Sequence, residues 1–132
     1  MSAPLDEVKG WFAKAESDLK AAHLLTESLG PYDVACFHCQ QAVEMCMKGF
    51  LVLRGEDFPF THDLSRLAVL CRKADVTLDL RQPEIVDLTA YAAKGRYDRM
   101  FWPSAEETRS ALELAQQIRD RIRSLIPSSA LP

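Results

Sequence analysis

Residues 31–55 set the strongest condition on how this chain folds, because they form one long predicted helix with an unusually apolar surface. Projected on an α-helix, small or apolar side chains cover most of the circumference: Ala35, Cys39, Ala42, Val43, Cys46, Met47, Phe50 and Leu53. A helix that is apolar on most sides must be covered by other elements on several sides. The sequence therefore predicts that this helix lies at the centre of the molecule.

A polar strip interrupts this apolar surface, and it consists of Gln40, Gln41, Glu44 and Lys48. Gln41, Glu44 and Lys48 follow the spacing i, i+3, i+7, so they lie along one line of the helix. The simplest interpretation is a solvated strip with one intrahelical ion pair between Glu44 and Lys48. Because the other sides are apolar, the strip is also consistent with a functional groove or with a structural or dimer contact.

The rest of the chain is typical of amphipathic helices joined by short connections. Each predicted helix has recognisable start or stop signals. The first helix runs from the N-cap Asp6 to about Ser28, and the third is capped by Thr61 or Asp63. The fourth starts at Pro83 and weakens at Gly95, and the last runs from Ala105 to about Ile126, after the capping box Ser104-Ala-Glu-Glu107. No useful stretch alternates as a strand does, and no repeat or linker separates two parts. We therefore expect one domain, residues 1–132, with an all-α fold: an antiparallel up-and-down bundle of four to five helices.

The overall charge gives little sign of a nucleic-acid or membrane surface. The 132 residues carry a net charge of −3, so no general basic field attracts polyanions. The longest apolar run is broken by Glu44 and Lys48 and is too short to span a bilayer. The N-terminus lacks the apolar segment of a secretory signal. These features predict a cytoplasmic protein without a membrane association.

Four cysteines could indicate a metal site or a nucleophile. Cys36-Phe37-His38-Cys39 and Cys46 share the predicted central helix, whereas zinc ligands usually lie around a turn and have a second ligand pair. On an apolar helix face a free cysteine behaves as a small hydrophobic residue, and its thiol is poorly placed to ionise. We expect reduced thiols, no metal and no cofactor.

Two other positions have both a structural and a functional interpretation. His62 lies at a predicted helix start, where it is either a capping-region residue or a groove residue that meets an anion. Arg96 and Tyr97 belong to the arginine- and aromatic-rich residues 96–102, which suit phosphate binding and base stacking, or else core aromatics with solvated arginines. The chain has no glycine-rich phosphate loop, no Gly-x-Ser-x-Gly elbow and no His-Glu-x-x-His motif.

Taken in order, four segments together resemble the HEPN (higher eukaryote and prokaryote nucleotide-binding) family over about residues 8–125. They are Trp11…Glu16-x-Asp18-Leu19, Phe37-His38-Cys39-Gln40-Gln41-Ala42-Val43-Glu44-x3-Lys48, Thr61-His62-Asp63-Leu64 and Gly95-Arg96-Tyr97. The resemblance implies an all-α bundle that usually dimerises. It also implies a minimal nucleotidyltransferase as a partner, because many members are encoded beside one in two-component or toxin–antitoxin modules.

Some members of that family are ribonucleases with an arginine followed, after four to six residues, by a histidine. Here the corresponding positions after Arg96 hold Phe101, Trp102 and Pro103, and no histidine follows His62. A metal-independent ribonuclease would lack its general acid–base group, which contributes about 10²–10⁴-fold to the rate. We therefore expect no catalytic residues, and RNA is possible as a ligand but is not favoured.

These inferences combine into a hypothesis of a non-catalytic HEPN-like homodimer that binds a nucleotide or phosphate ligand and partners a minimal nucleotidyltransferase. The candidate ligand-binding residues are Gln41, Glu44, Lys48, His62, Arg96 and Tyr97. Lys48 and Arg96 would meet phosphate, and Tyr97 would stack on a base. Glu44 would orient Lys48 or accept from a ribose or base. Two alternatives stay open: an RNase toxin that uses Arg96 with His62, and a purely structural dimerisation module with the strip at its interface.

Overall fold

The computed structural model describes residues 2–132, which fold into five α-helices and one short 3₁₀ helix. The helices are α1 (Ser2–Glu27), α2 (Tyr32–Leu53), α3 (Leu64–Ala74), α4 (Gln82–Tyr97) and α5 (Ala105–Arg123), and the 3₁₀ turn is Ser128–Ala130. None of the described residues forms a strand. None of the described helices is both long and apolar enough to cross a membrane. The predicted all-α class is confirmed.

Helix α2 is the centre of the molecule, as its apolar surface predicts. It packs against each of the other four helices, and 13 of its 22 residues are buried. The buried set includes not only apolar side chains but also Gln40, Glu44 and Lys48. The solvated interpretation of the strip is therefore wrong for these three residues, since other parts of the chain cover them.

Four of the helices alternate in direction, which confirms the antiparallel up-and-down arrangement. Trp11 of α1 faces Gly49 near the end of α2, whereas Asp18, further along α1, contacts His38 near its start. The same reversed order relates α2 to α4 and α4 to α5. Helix α3 is inserted between α2 and α4 and packs on both. The α2–α3–α4 corner is where the candidate site forms.

Local capping signals explain where α3 and α5 begin. The Asp63 side chain accepts hydrogen bonds from the backbone N–H groups of Ser65 and Arg66, so Asp63 rather than Thr61 is the cap of α3. Ser104 and Glu107 exchange the two reciprocal hydrogen bonds of a capping box, each at 3.0 Å. Both helix starts are thus fixed by residues within a single turn of the chain.

The predicted limits of three helices were wrong. The last helix is predicted to reach about Ile126, but α5 ends at Arg123. Asp6 lies inside α1, which begins at Ser2 because Pro4 fits the first turn, where its missing N–H costs nothing. Helix α4 continues through Gly95 to Tyr97. The lack of a side chain lets Gly95 lie directly against Phe37, and this packing holds the last turn of α4 in place.

Replacing Gly49 by alanine is expected to lower the free energy of unfolding by about 1–3 kcal/mol, since an added methyl group would overpack a filled contact. A Cβ at this position would lie 2.9 Å from Cε2 of Phe12 and 3.0 Å from Cβ of Trp11. Gly10→Ala is the matched control, because nothing lies within 4 Å of its Cβ position, and it should raise the stability by about 0.5–1 kcal/mol. Urea denaturation of both variants measures the difference. A gain at both positions would show that α1 and α2 are not in close contact.

Candidate ligand-binding groove

A groove of about 400 Å³ lies between α2, the start of α3 and the second half of α4. Its walls are largely apolar, with Phe37 on one side and three alanines of α4 on the other. Gln41, His62, Arg96 and Tyr97 line it together. Four of the six candidate residues, from three separate parts of the chain, are therefore brought to one place.

Arg96 supplies a positive charge to the groove and lies against two aromatic rings. Its guanidinium carbon is 5.3 Å from the ring centre of Phe37 and 5.5 Å from that of Tyr97. Arg96 forms no ion pair with any carboxylate of residues 2–132, whereas Arg119 pairs with Glu16 at 2.8 Å. Tyr97 is 76% exposed, so its ring also has a face open to solvent. The pair thus offers an uncompensated cation and an exposed aromatic surface at the same position.

Glu44 lies beneath the groove and connects three side chains. Its Oε1 accepts a hydrogen bond from Nε2 of Gln40 at 3.0 Å and lies 2.8 Å from Nδ1 of His62. Its Oε2 accepts from Nζ of Lys48 at 3.0 Å. Glu44 is 1% exposed, and a carboxylate this deeply buried requires such a set of donors. We call Gln40, Glu44, Lys48 and His62 the Glu44 network.

Lys48 does not line the groove. It is 5% exposed, and its Nζ lies about 6 Å from the ring centres of Trp11, Phe58 and Phe60, at 6.0, 5.8 and 5.8 Å. Helix α1 and the loop after α2 therefore seal this ammonium inside its own chain. In this position Lys48 neutralises Glu44, and neither of the two side chains is available on the surface for pairing with a second copy.

His62 joins the Glu44 network to the groove. Its side chain is 55% exposed, and Nδ1 points to Glu44. A carboxylate only accepts hydrogen bonds, so Nδ1 carries the proton and Nε2 is the ring nitrogen left for a ligand. Asp63, not His62, caps α3. His62 thus lines the groove and is not the cap of α3, and its contact with an anion stays a prediction.

The sequence matches the model of the HEPN domain over residues 8–125. The chain belongs to the HEPN family. This confirms the resemblance carried by the Gln-Gln-Ala-Val-Glu segment of α2 and the Thr-His-Asp-Leu segment before α3. No comparable match was found among curated proteins.

Two crystal structures are similar to this HEPN domain along nearly its whole length. The protein TT1696 of Thermus thermophilus is 28% identical and superposes with a TM-score of 0.77, covering 92% of this chain and 99% of the other. The protein ST0689, described as an archaeal HEPN homologue, is 23% identical with a TM-score of 0.65 over 91% of this chain and 98% of the other. At this identity the second likeness concerns the fold alone.

The candidate ligand-binding residues left out three residues that build or support the HEPN groove. Gln40, which the sequence analysis placed in the polar strip only, is fully buried and donates to Glu44. Its position four residues before Glu44 repeats the spacing of Glu44 to Lys48, which favours a hydrogen bond along the helix. Thr89 accepts from the backbone N–H of Leu64 at 3.0 Å, which ties α4 to the first turn of α3. Phe37 supplies the wall under Arg96. Neither Thr89 nor Phe37 has a local signal, because each acts through a partner distant in sequence.

The four cysteines of this HEPN domain are free thiols with no access to solvent. Burial raises the pKa of all four, that of Cys71 to about 12. Cys36 donates to the Thr108 hydroxyl at 3.7 Å, which ties α2 to α5. No group of three or more His, Cys, Asp or Glu side chains in the described part of the chain is arranged to hold a metal ion. The thiols therefore act as core packing groups.

We expect none of the four thiols to react with a disulfide reagent in mildly alkaline buffer while the protein is folded. The thiolate is the reactive form, and burial both blocks access and raises the pKa of each thiol. Absorbance of the released thiol measures labelling over time. Addition of denaturant should expose all four cysteines to the reagent at once, and this reaction of the unfolded protein is the internal control. Rapid labelling of Cys36 or Cys39 in the native protein would contradict their assigned place in the core.

Proposed function

We propose that this HEPN domain binds a nucleotide or a similar phosphate-bearing ligand in the groove, without catalysing a reaction on it. One observation carries the proposal: Arg96, without a carboxylate partner in the described structure, lies against Phe37 and Tyr97 at a cavity of about 400 Å³. Guanidinium groups bind phosphate with paired hydrogen bonds, and aromatic faces stack on bases. The volume is within the range of small-molecule sites, about 300–1,000 Å³.

Each groove residue has a distinct role in this proposal. Arg96 meets the phosphate, and Tyr97 stacks on the base. Gln41 and His62 form the polar edge of the groove opposite the alanines of α4. The Glu44 network supports this edge from below, since Gln40 also donates to the backbone carbonyl oxygen of His62 at 3.2 Å. Glu44 and Lys48 thus serve as positioning residues and do not contact the ligand.

Calorimetric titration with ATP, GTP and short RNAs tests the proposal. Arg96→Ala is expected to weaken binding by about 10- to 150-fold, because hydrogen bonds to charged groups contribute about 1.5–3 kcal/mol. Arg99→Ala is the matched control: it removes the same charge from an exposed arginine of the same segment that does not line the groove. No heat with any ligand, or undiminished binding by Arg96→Ala, would refute the groove assignment.

We further propose that the domain forms a homodimer and partners a minimal nucleotidyltransferase in a cytoplasmic, toxin–antitoxin-like module, as its family implies. Exposed apolar side chains support the proposal that part of the surface is covered in an assembly: Phe60, Tyr97, Met100 and Trp102 are each more than 70% exposed. Sedimentation of the wild type should give a dimer. Co-purification with a nucleotidyltransferase encoded beside it should give a stable complex. A monomer at all concentrations would contradict the first part, and separate elution would contradict the second.

A second candidate function is RNA cleavage, and the shared position of Arg96 and His62 favours it. Glu44 holds Nδ1 of His62, which leaves Nε2 placed as a general base or acid beside a cation for the phosphate. This function predicts RNA cleavage and growth arrest on expression, both lost in Arg96→Ala and in His62→Ala but kept in Arg99→Ala. Cleavage that survives His62→Ala would exclude it.

A further inference from the structure

The Glu44 network fixes the orientation of the Gln40 side-chain amide. Nε2 of Gln40 donates to Oε1 of Glu44 at 3.0 Å and to the backbone carbonyl oxygen of His62 at 3.2 Å. A carboxylate and a backbone carbonyl are acceptors only, so both must face the amide nitrogen. Both hydrogens of this nitrogen are therefore used in hydrogen bonds. If the amide were reversed, the Gln40 oxygen would face Oε1 of Glu44 and the backbone oxygen of His62, and neither of these can donate a hydrogen bond.

The fixed amide of Gln40 then orients the amide of Gln41. Oε1 of Gln40 lies 2.7 Å from Nε2 of Gln41 and can only accept, so the nitrogen of Gln41 is turned toward Gln40. Oε1 of Gln41 is left without a hydrogen-bond partner in the described structure, and it is not sealed from solvent. Gln41 lines the groove, so this oxygen and the second hydrogen of the amide nitrogen are the polar groups that it can offer to a ligand there.

The two sides of the groove therefore differ in hydrogen-bonding character. On the α2–α3 side, the oriented Gln41 amide offers the acceptor Oε1 beside one remaining N–H. On the α4 side, Arg96 has only donors. A ligand that presents a donor to Oε1 of Gln41 and an anion to Arg96 matches both sides.

We propose that the groove selects phosphate ligands that carry an exocyclic amino group, such as adenine nucleotides, and that Gln41 is the residue that reads this group. The inference rests on the proposed function and deepens it by naming the ligand class. Gln40 is the positioning residue, because it decides which end of the Gln41 amide faces the groove. An unoriented amide could exchange the positions of its oxygen and nitrogen and would discriminate poorly.

Binding of ATP is compared with binding of purine riboside triphosphate, which differs by the loss of the 6-amino group alone. The wild type should prefer ATP by about three- to tenfold, the effect of one neutral hydrogen bond. Gln41→Met, a change at a partly exposed position, should bind both triphosphates equally. Gln40→Met should lose the preference as well, while Arg96-dependent binding persists.

The outcomes separate this inference from the proposed function. Equal binding of both triphosphates by the wild type, with Arg96→Ala weakening both, overturns the amino-group inference and leaves the groove in place. A preference for ATP that persists in Gln41→Met also overturns it. Failure of the wild type to bind either triphosphate overturns the inference together with the proposed function.

Discussion

Replacing Glu44 by alanine is expected to lower the free energy of unfolding by about 3–5 kcal/mol, the usual effect of removing one partner from a buried ion pair. Glu44 is the shared acceptor of Gln40, Lys48 and His62. Without it, the ammonium of Lys48 stays enclosed by aromatic rings and has no counter-charge. An exposed helix pair at the same i, i+4 spacing would contribute only about 0.3–0.5 kcal/mol. Urea denaturation therefore distinguishes the two cases by a wide margin.

Three further variants show whether the loss comes from the unpaired charge. Glu44→Gln keeps the shape but removes the charge, so its stability should lie between the wild type and Glu44→Ala. Glu44→Leu combined with Lys48→Met removes both charges and should be less destabilised than Glu44→Ala alone. Glu113→Ala removes an exposed carboxylate of α5 and should change the stability by less than about 0.5 kcal/mol. A wild-type stability for Glu44→Ala would contradict the buried network.

The second large effect is expected for Gly95→Ala, which should both destabilise the fold and weaken ligand binding. A Cβ at Gly95 would lie 2.8 Å from Cβ of Phe37 and 3.2 Å from the backbone oxygen of Asp33. These atoms belong to or adjoin the backbone of α2, so no side-chain rotation relieves the clash, and α4 must move. Overpacking of this kind costs about 1–3 kcal/mol. Because Arg96 follows directly in the chain, the shift displaces it from Phe37.

Urea denaturation and ATP titration of the same Gly95→Ala sample test both parts. Gly10→Ala, at a position with open space around it, is the control for the intrinsic gain in helix propensity. It should leave binding unchanged. A Gly95→Ala protein with wild-type stability and affinity would show that the α2–α4 contact neither limits the packing nor shapes the groove.

The helices of this fold could be predicted from the sequence because their signals are local. The apolar circumference of α2 required a central position, and the capping box at Ser104 fixed the start of α5. The HEPN motif brought together Gln41, His62, Arg96 and Tyr97 as candidates before any geometry was known. A motif match of this kind carries long-range information that periodicity does not.

The burial of the polar strip could not be predicted in the same way. Gln40, Glu44 and Lys48 have the same helical spacing whether they face water or another part of the chain. What decides between these cases is the loop after α2, which brings Phe58, Phe60 and His62 over the strip. Such a loop has no periodicity, and its contacts join residues far apart in sequence. Three of the four strip residues are consequently buried, and of the strip only Gln41 lines the groove.

Amide chemical shifts of the ¹⁵N-labelled domain, recorded as ATP is added, are the decisive test of a nucleotide site at Arg96, because they locate the bound ligand residue by residue. We expect changes concentrated at the end of α4 and the start of α3, together with the side-chain signals of Gln41 and Arg96. We expect only small changes at the cleft between α4 and α5, which is made acidic by Glu84, Asp87, Glu106, Glu107 and Glu113. Unchanged spectra at saturating ATP, or changes confined to that acidic cleft, would contradict a nucleotide site built on Arg96.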